Sequence, residues 1–262
     1  MTQTWKTPSG DSWSLYEDML RQPHLLIAGA TGSGKSVVIN ALIHTALLRN
    51  APGYSIPNSC EFILIDPKRV ELVQYRNLPH TICYASEQEQ MVSALQYAIS
   101  LCDFRYQQMQ AQGVRKYLGG DVYVIIDEFA DLMTTQRRVV MPLIQRLAQI
   151  GRAAKIHIIL ATQTPIAKVL PTEIKCNFDS RIGLRTRSQQ DSRNIIGYRG
   201  LEALPRYGRA YYMTPEMEGY MNVPMYSDWE ISQRVQWWVQ QKQTQTSYTG
   251  WFRKIFKKVR QR

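Results

Sequence analysis

Apolar runs of five to seven residues, rich in β-branched side chains, recur at His24–Ala28, Glu61–Ile65, Val122–Ile126, Lys155–Ala161 and Ser180–Thr186. Between them lie segments with helical periodicity or turn signals. A strand covered on both faces needs such an uninterrupted run. Strands alternating with helices therefore predict an α/β fold with a mostly parallel sheet flanked by helices. In the middle of the chain, Ser86-Glu87-Gln88-Glu89 reads as a capping box opening a long helix. Its stripe of Val92, Leu95, Ile99, Cys102, Tyr106 and Met109 repeats every three or four residues up to Gly113 and is assigned to core packing. A second helix is predicted from about Arg138 to Arg152, with Val139, Leu143, Ile144, Leu147 and Ile150 on one side and Pro142 near its first turn.

This pattern divides the chain into an N-terminal extension (1–23), one large domain (24–230), a terminal helix with a polar linker (231–250) and a short tail (251–262). An apolar content of 44% is enough for one full α/β core. No apolar run approaches the roughly 20 residues of a membrane span and no signal pattern opens the chain, so a cytoplasmic location is expected. Cys60, Cys83, Cys102 and Cys176 contain no C-x-x-C pair, which argues against a zinc site or disulfide framework and for reduced core thiols. The net charge is +11, but eight of those charges follow Glu230, the last acid. In the tail, Trp251, Phe252, Ile255, Phe256 and Val259 take helical spacing among six Lys and Arg residues. A basic amphipathic helix results, suited to an anionic membrane surface, to DNA phosphates or to a protein partner, with docking on its own globular body as the plainer alternative.

The chemistry is concentrated at three strand ends. Gly29-Ala30-Thr31-Gly32-Ser33-Gly34-Lys35-Ser36 has the form G-x-x-x-x-G-K-[ST] and stands between an apolar strand and a helical run. Glycines let backbone amides wrap a phosphate chain, Lys35 reaches the β- and γ-phosphates of ATP, and Ser36 is a ligand for Mg²⁺. Val122–Ile126 ends in Asp127-Glu128. Asp127 suits the metal and Glu128 suits a general base for water. Adjacent carboxylates at a strand end also serve as helix caps or solvated charges, but the phosphate loop upstream favours the catalytic reading. Ala161-Thr162-Gln163 closes another strand and, if that strand neighbours Val122–Ile126, places the Gln163 amide where it can sense a γ-phosphate or position water.

Together with Ile65-Asp66-Pro67-Lys68, Asp127-Glu128-Phe129-Ala130-Asp131-Leu132-Met133, Arg152-Ala153-Ala154 and Asp191-Ser192-Arg193, these motifs resemble the FtsK/SpoIIIE family over about residues 24–213. The resemblance implies a RecA-like P-loop domain that forms a homo-oligomeric ring, commonly a hexamer, around double-stranded DNA, with ATP between neighbouring subunits. It assigns Arg152 as an arginine finger acting in trans and puts Asp66 and Lys68 in a loop near the nucleotide. Lys175 and Arg193 match DNA-facing basic positions. Where family members carry Arg after Ala-Thr-Gln this chain has Thr164, and Gln189 replaces another basic residue. Arg185, Arg187 and Lys168 are candidates to restore that charge. The implied function is an ATP-driven DNA translocase of the compact, mobile-element kind, serving transfer, packaging or segregation. A motor that moves or gates protein in a secretion machine, and a nucleotide-dependent coupling scaffold, are the alternatives.

Overall fold

In the computed structural model the described residues are 11–49, 60–224 and 226–241. The tail 251–262 and most of the polar linker lie outside them. The apolar runs form the centre of an eight-stranded sheet ordered β3-β2-β4-β5-β1-β6-β7-β8. These strands are β1 (His24–Ala28), β2 (Glu61–Ile65), β3 (Thr81–Ala85), β4 (Val122–Ile126), β5 (Ile156–Thr162), β6 (Ser180–Gly183), β7 (Arg209–Met213) and β8 (Glu218–Asn222). The first six run parallel, and β7 and β8 are added antiparallel at the edge beside β6.

Alternation along each central strand feeds two cores. Leu25 and Ile27 of β1 and Tyr123 and Ile125 of β4 face α1 (Asp11–Arg21), α2 (Lys35–Arg49) and α8 (Asp228–Gln241), where Tyr16, Met19, Leu42, Leu47, Ile231 and Trp238 are buried. Leu26, Val122, Val124 and Ile126 face the other way, onto α3 (Gln88–Gln112), α4 (Phe129–Thr135), α5 (Arg137–Ile150) and the short α6 (Thr172–Lys175). Both sheet faces are thus covered, as a parallel sheet requires. A smaller cluster, Ile195, Ile196, Leu201 and Leu204, sits beneath α7 (Gln189–Ile196) against Ala28. Among the described residues no helix is long and apolar enough to cross a membrane.

Several local expectations shift. Lys155 has φ 53°, a left-handed conformation no strand accommodates, so β5 starts at Ile156 and runs on to Thr162. β6 ends at Gly183, although Leu184 still donates to the Ala28 carbonyl (2.8 Å) as the chains part. The cap of α3 is one residue later than expected, with Gln90 Oε1 accepting from the Glu87 amide at 3.3 Å. The buried stripe of α3 is Met91, Ala94, Leu95, Ala98, Leu101, Cys102, Arg105 and Met109, whereas Tyr106 is exposed. Pro142 is the sixth residue of α5, just past its first turn, and the carbonyl it cannot bond belongs to Arg138, an exposed residue. Val139 on the same helix is exposed and Val140 is buried instead. Cys60 and Cys102 are buried thiols, Cys83 is half-buried, but Cys176 is exposed and so is no core thiol.

Candidate active site

Parallel register brings the carboxyl ends of β1, β2, β4 and β5 level. Ala28 pairs with Thr162, and Ile126 pairs with both Leu160 and Ile65. The loops that follow these strands therefore share one edge of the sheet, the general location of ligands in open α/β folds.

The glycine-rich loop leaves β1 and turns into α2 at Lys35. Gly32 (φ 72°) and Gly34 (φ 101°) hold left-handed conformations that a side chain would strain. Gly29 is needed for a different reason: a Cβ there would stand 2.6 Å from Leu184 Cβ and 2.7 Å from Ser33 Oγ. The loop hangs between its neighbours, with the Gly29 amide donating to the Thr162 carbonyl (3.3 Å) and the Ala30 amide to that of Arg185 (2.8 Å). Thr31 at the exposed apex donates its hydroxyl to Gln163 Oε1 at 2.9 Å.

Lys35, only 3% exposed, donates to the Asp127 carbonyl at 2.7 Å and forms an ion pair with Asp127 Oδ1. Burial pushes the Asp127 carboxyl above the usual carboxylate range, and the Lys35 ammonium pulls against that shift. Asp127 Oδ2 and Ser33 Oγ are buried with no hydrogen-bond partner among the described residues. A buried carboxylate oxygen without a donor, on the residue that Lys35 bonds, with half-buried Ser36 next to Lys35 in the chain, is the donor chemistry Mg²⁺ takes, and the residues present fit that ion.

Glu128 is 2% exposed and its carboxylate is held on several sides. Thr162 Oγ1 donates to Oε1 (2.8 Å), the Gln163 amide donates to both oxygens (3.1 and 3.2 Å), and Lys68 Nζ lies 3.4 Å from Oε2. Gln163 thereby links the phosphate loop, through its side chain, to Glu128, through its backbone. Asp66, buried at the end of β2, accepts from the Leu72 amide (2.9 Å) and shapes the loop that carries Lys68. The hydroxyls of Thr31 and Thr162 and the ion pair of Lys68 are contributions that motif reading did not assign. The motif quoted Thr162, and only the adjacency of β4 and β5 shows what its hydroxyl does.

Arg152 stands elsewhere. It lies exposed in the turn between α5 and the amino end of β5, and among the described residues its guanidinium has no hydrogen bond or ion pair. Seven residues of strand, about 20 Å at the usual rise, separate it from the edge that holds Glu128. Among the basic candidates, Arg181 donates to the carbonyls of Lys175 (3.1 Å) and Ile195 (2.8 Å), which draws the ends of α6 and α7, carrying Lys175 and Arg193, towards the amino end of β6. Exposed Arg187 lies past the other end of β6, and Lys168 lies in the loop after β5, where its carbonyl accepts from Arg137. These four residues do not form a single patch.

Known proteins resemble this chain in sequence and in fold. The chain is 38% identical to the DNA translocase FtsK of Rickettsia typhi, over 76% of this chain and 32% of the relative. It is 35% identical to that of Pseudomonas putida, over 84% and 30%. It spans about a third of the length of those relatives. Among solved structures, the pCW3 conjugation coupling protein TcpA with ATPγS shares the fold at a TM-score of 0.71 and 23% identity, over 84% of this chain and 65% of that one. The cytoplasmic domain of the Thermomonospora curvata Type VII secretion ATPase EccC does so at 0.66 and 21%, over 82% and 28%. The model of the FtsK/SpoIIIE family matches residues 12–122 and 120–167, more than half of the sequence, and the chain belongs to that family.

Proposed function

We propose that this chain is an ATP-hydrolysing motor that assembles into a ring and moves double-stranded DNA. The observation that carries this reading is the division of the site. Lys35, Asp127 and Glu128 are buried at one edge of the sheet, while Arg152 is exposed about 20 Å away at the other, beyond reach of its own nucleotide. Stacking subunits edge to edge would bring Arg152 of one against the phosphates of the next.

Within one subunit, Lys35 neutralises the β- and γ-phosphates, and the amides of Gly29–Ser36 cradle them. Ser36 and Asp127 would hold Mg²⁺, which supplies further charge neutralisation on the phosphate oxygens. Glu128, fixed by Thr162 and the Gln163 amide, accepts a proton from the attacking water as its oxygen bonds to the γ-phosphorus and the bond to the ADP oxygen breaks. The Gln163 side chain, tethered to Thr31, reports phosphate occupancy to the Glu128 end of the site. Lys175 and Arg193, on helices whose carboxyl ends both bond Arg181 through the Lys175 and Ile195 carbonyls, are the leading contacts to DNA phosphates, with Arg187 and Lys168 as separate ones.

The deciding measurement is ATP hydrolysis as a function of protein concentration, alone, with duplex DNA and with a single-stranded control. Turnover should rise steeply with concentration and be stimulated by duplex. Hydrolysis indifferent to DNA would favour a motor that acts on protein, and no hydrolysis at any concentration would leave a coupling scaffold.

A further inference from the structure

The phosphate loop has two flanks. On the β5 flank stand Glu128 and Gln163, so the γ-phosphate end of a bound nucleotide belongs there. The nucleoside end must then leave on the opposite flank, where the chain exits β6 and returns into β7. There the Ala30 amide donates to the Arg185 carbonyl, and the guanidinium of Arg206 rests on the apex of the loop. A Cβ built on Gly32 would stand 3.3 Å from Arg206 Nη2 and 3.9 Å from its Nε. Tyr207 follows, 58% exposed, with its ring centroid 5.3 Å from the Arg206 guanidinium carbon. Gly208 (φ 82°) makes the turn into β7, and its carbonyl accepts from the Val223 amide at 3.0 Å, so the Arg-Tyr pair sits at a fixed strand entrance.

An arginine on a lysine-containing anion loop raises the local positive charge, and among the described residues Arg206 has no carboxylate partner to offset it. Its planar fork suits phosphate oxygens, and the neighbouring tyrosine offers an exposed aromatic face. We propose that Arg206 and Tyr207 form the nucleoside-side half of the ATP site: the guanidinium binds the phosphates nearest the ribose, and the Tyr207 ring stacks on the purine. This inference rests on the assignment of the loop to ATP and adds to it the residues that distinguish a nucleotide from a bare polyphosphate.

Equilibrium binding to the full chain, with ATP, ADP and inorganic tripolyphosphate as separate Mg²⁺-loaded titrants, tests it. Tyr207→Ala should weaken ATP and ADP about tenfold, the effect of losing one base–aromatic stack, while tripolyphosphate binding stays as in the wild type. Tyr207→Phe should bind all three normally. Arg206→Ala should weaken all three by a similar factor, and Arg206→Lys should recover part of it. Both positions are exposed, so thermal midpoints should match the wild type. Wild-type affinity for ATP in Tyr207→Ala, or parallel loss of ATP and tripolyphosphate, overturns the stacking assignment while leaving the ATP site standing. A wild-type protein that binds none of the titrants overturns the ATP assignment and this one with it.

Discussion

The two edges of the sheet treat the charges of the proposed site in opposite ways. At the carboxyl edge Lys35, Asp127 and Glu128 are 3%, 1% and 2% exposed, and each charge is held by an ion pair, a hydroxyl or a backbone amide of the same chain. Buried charges are tolerated only when neighbours compensate them, so this edge is preorganised by its own fold. At the amino edge Arg152 is solvated, and among the described residues nothing fixes its guanidinium. Beneath the Gly151–Arg152 turn lies a neutral side chain, His24, which donates from Nε2 to the Ala148 carbonyl (2.9 Å) and accepts the Ile158 amide at Nδ1 (3.1 Å), and the buried cation of this edge, Arg105, donates to the Ala154 and Lys155 carbonyls (2.7 and 3.1 Å). In the proposed motor, one edge contains what a subunit must hold ready, and the other presents what it can lend.

The sharpest way to break this comparison is to remove the lent group. Arg152→Ala should retain nucleotide affinity but lose on the order of 10³–10⁵ in turnover, the usual contribution of an arginine finger. Mixing it with Lys35→Ala, which keeps its finger but loses its own site, should restore part of the rate. Normal turnover by Arg152→Ala alone would remove that residue from the mechanism and point to Arg181, Arg185 or Arg193. On the preorganised edge, Glu128→Gln keeps the hydrogen-bond acceptor for Thr162 and loses the base. ATP should remain bound while single-turnover hydrolysis falls roughly 10²–10⁴-fold.

The difference between the edges also governs what could be read from sequence. The carboxyl edge is written in contiguous motifs, because a strand, a glycine turn and a helix start place Gly29–Ser36 without reference to distant residues, and Asp127-Glu128 follows one uninterrupted apolar strand. Strand order is a tertiary property, and with it the bonds from Thr162 and Lys68 to Glu128 stay hidden. β3 escaped notice because Thr81–Tyr84 are only half-buried and give no clean apolar run. The β7–β8 hairpin escaped it because its exposed positions, Arg209, Glu218 and Tyr220, mix charge with aromatic character. Arg152 has no local signature. Only the family resemblance singled it out, and the structure adds that the length of β5, about 20 Å, separates it from the edge that holds Glu128.

The neutral histidine sharpens the comparison through pH. Burial lowers the His24 pKa from 6.5 to about 4, against the pull of the Ala148 carbonyl. The unfolded chain takes up a proton below about 6.5 and the folded chain does not until about 4, so stability is lost as pH falls through that window. His44, lowered to about 3, acts in the same direction. Denaturant unfolding at pH 7 and pH 4.5 should show His24→Gln losing about 2–3 kcal/mol less than the wild type over that interval. Equal losses would mean that His24 takes up its proton alike in the folded and the unfolded chain.

Two glycines, one on each edge, allow the comparison to be made with the same small change. Ala at Gly29 would put its Cβ 2.6 Å from Leu184 Cβ, and Ala at Gly151 would put its own 2.4 Å from the Ile156 carbonyl oxygen and 3.3 Å from His24 Cε1. Neither contact is tolerable, so in each case backbone must move, at a cost of about 1–3 kcal/mol for overpacking. Their thermal midpoints should therefore fall by similar amounts, but their functional effects should separate. Displacing Gly29 shifts the loop hung from Arg185 and Thr162, which should weaken nucleotide binding in the subunit that carries the change. Displacing Gly151 shifts the turn that presents Arg152, and the carboxyl edge lies about 20 Å away along β5. Gly151→Ala should thus bind nucleotide normally, turn it over slowly, and be rescued when mixed with a Lys35→Ala partner that supplies an undistorted finger. Titration of nucleotide followed by turnover in mixed assemblies distinguishes the two. If Gly151→Ala lost nucleotide affinity as fully as Gly29→Ala, the edges would be one cooperative unit, and the division between held and lent groups would fail.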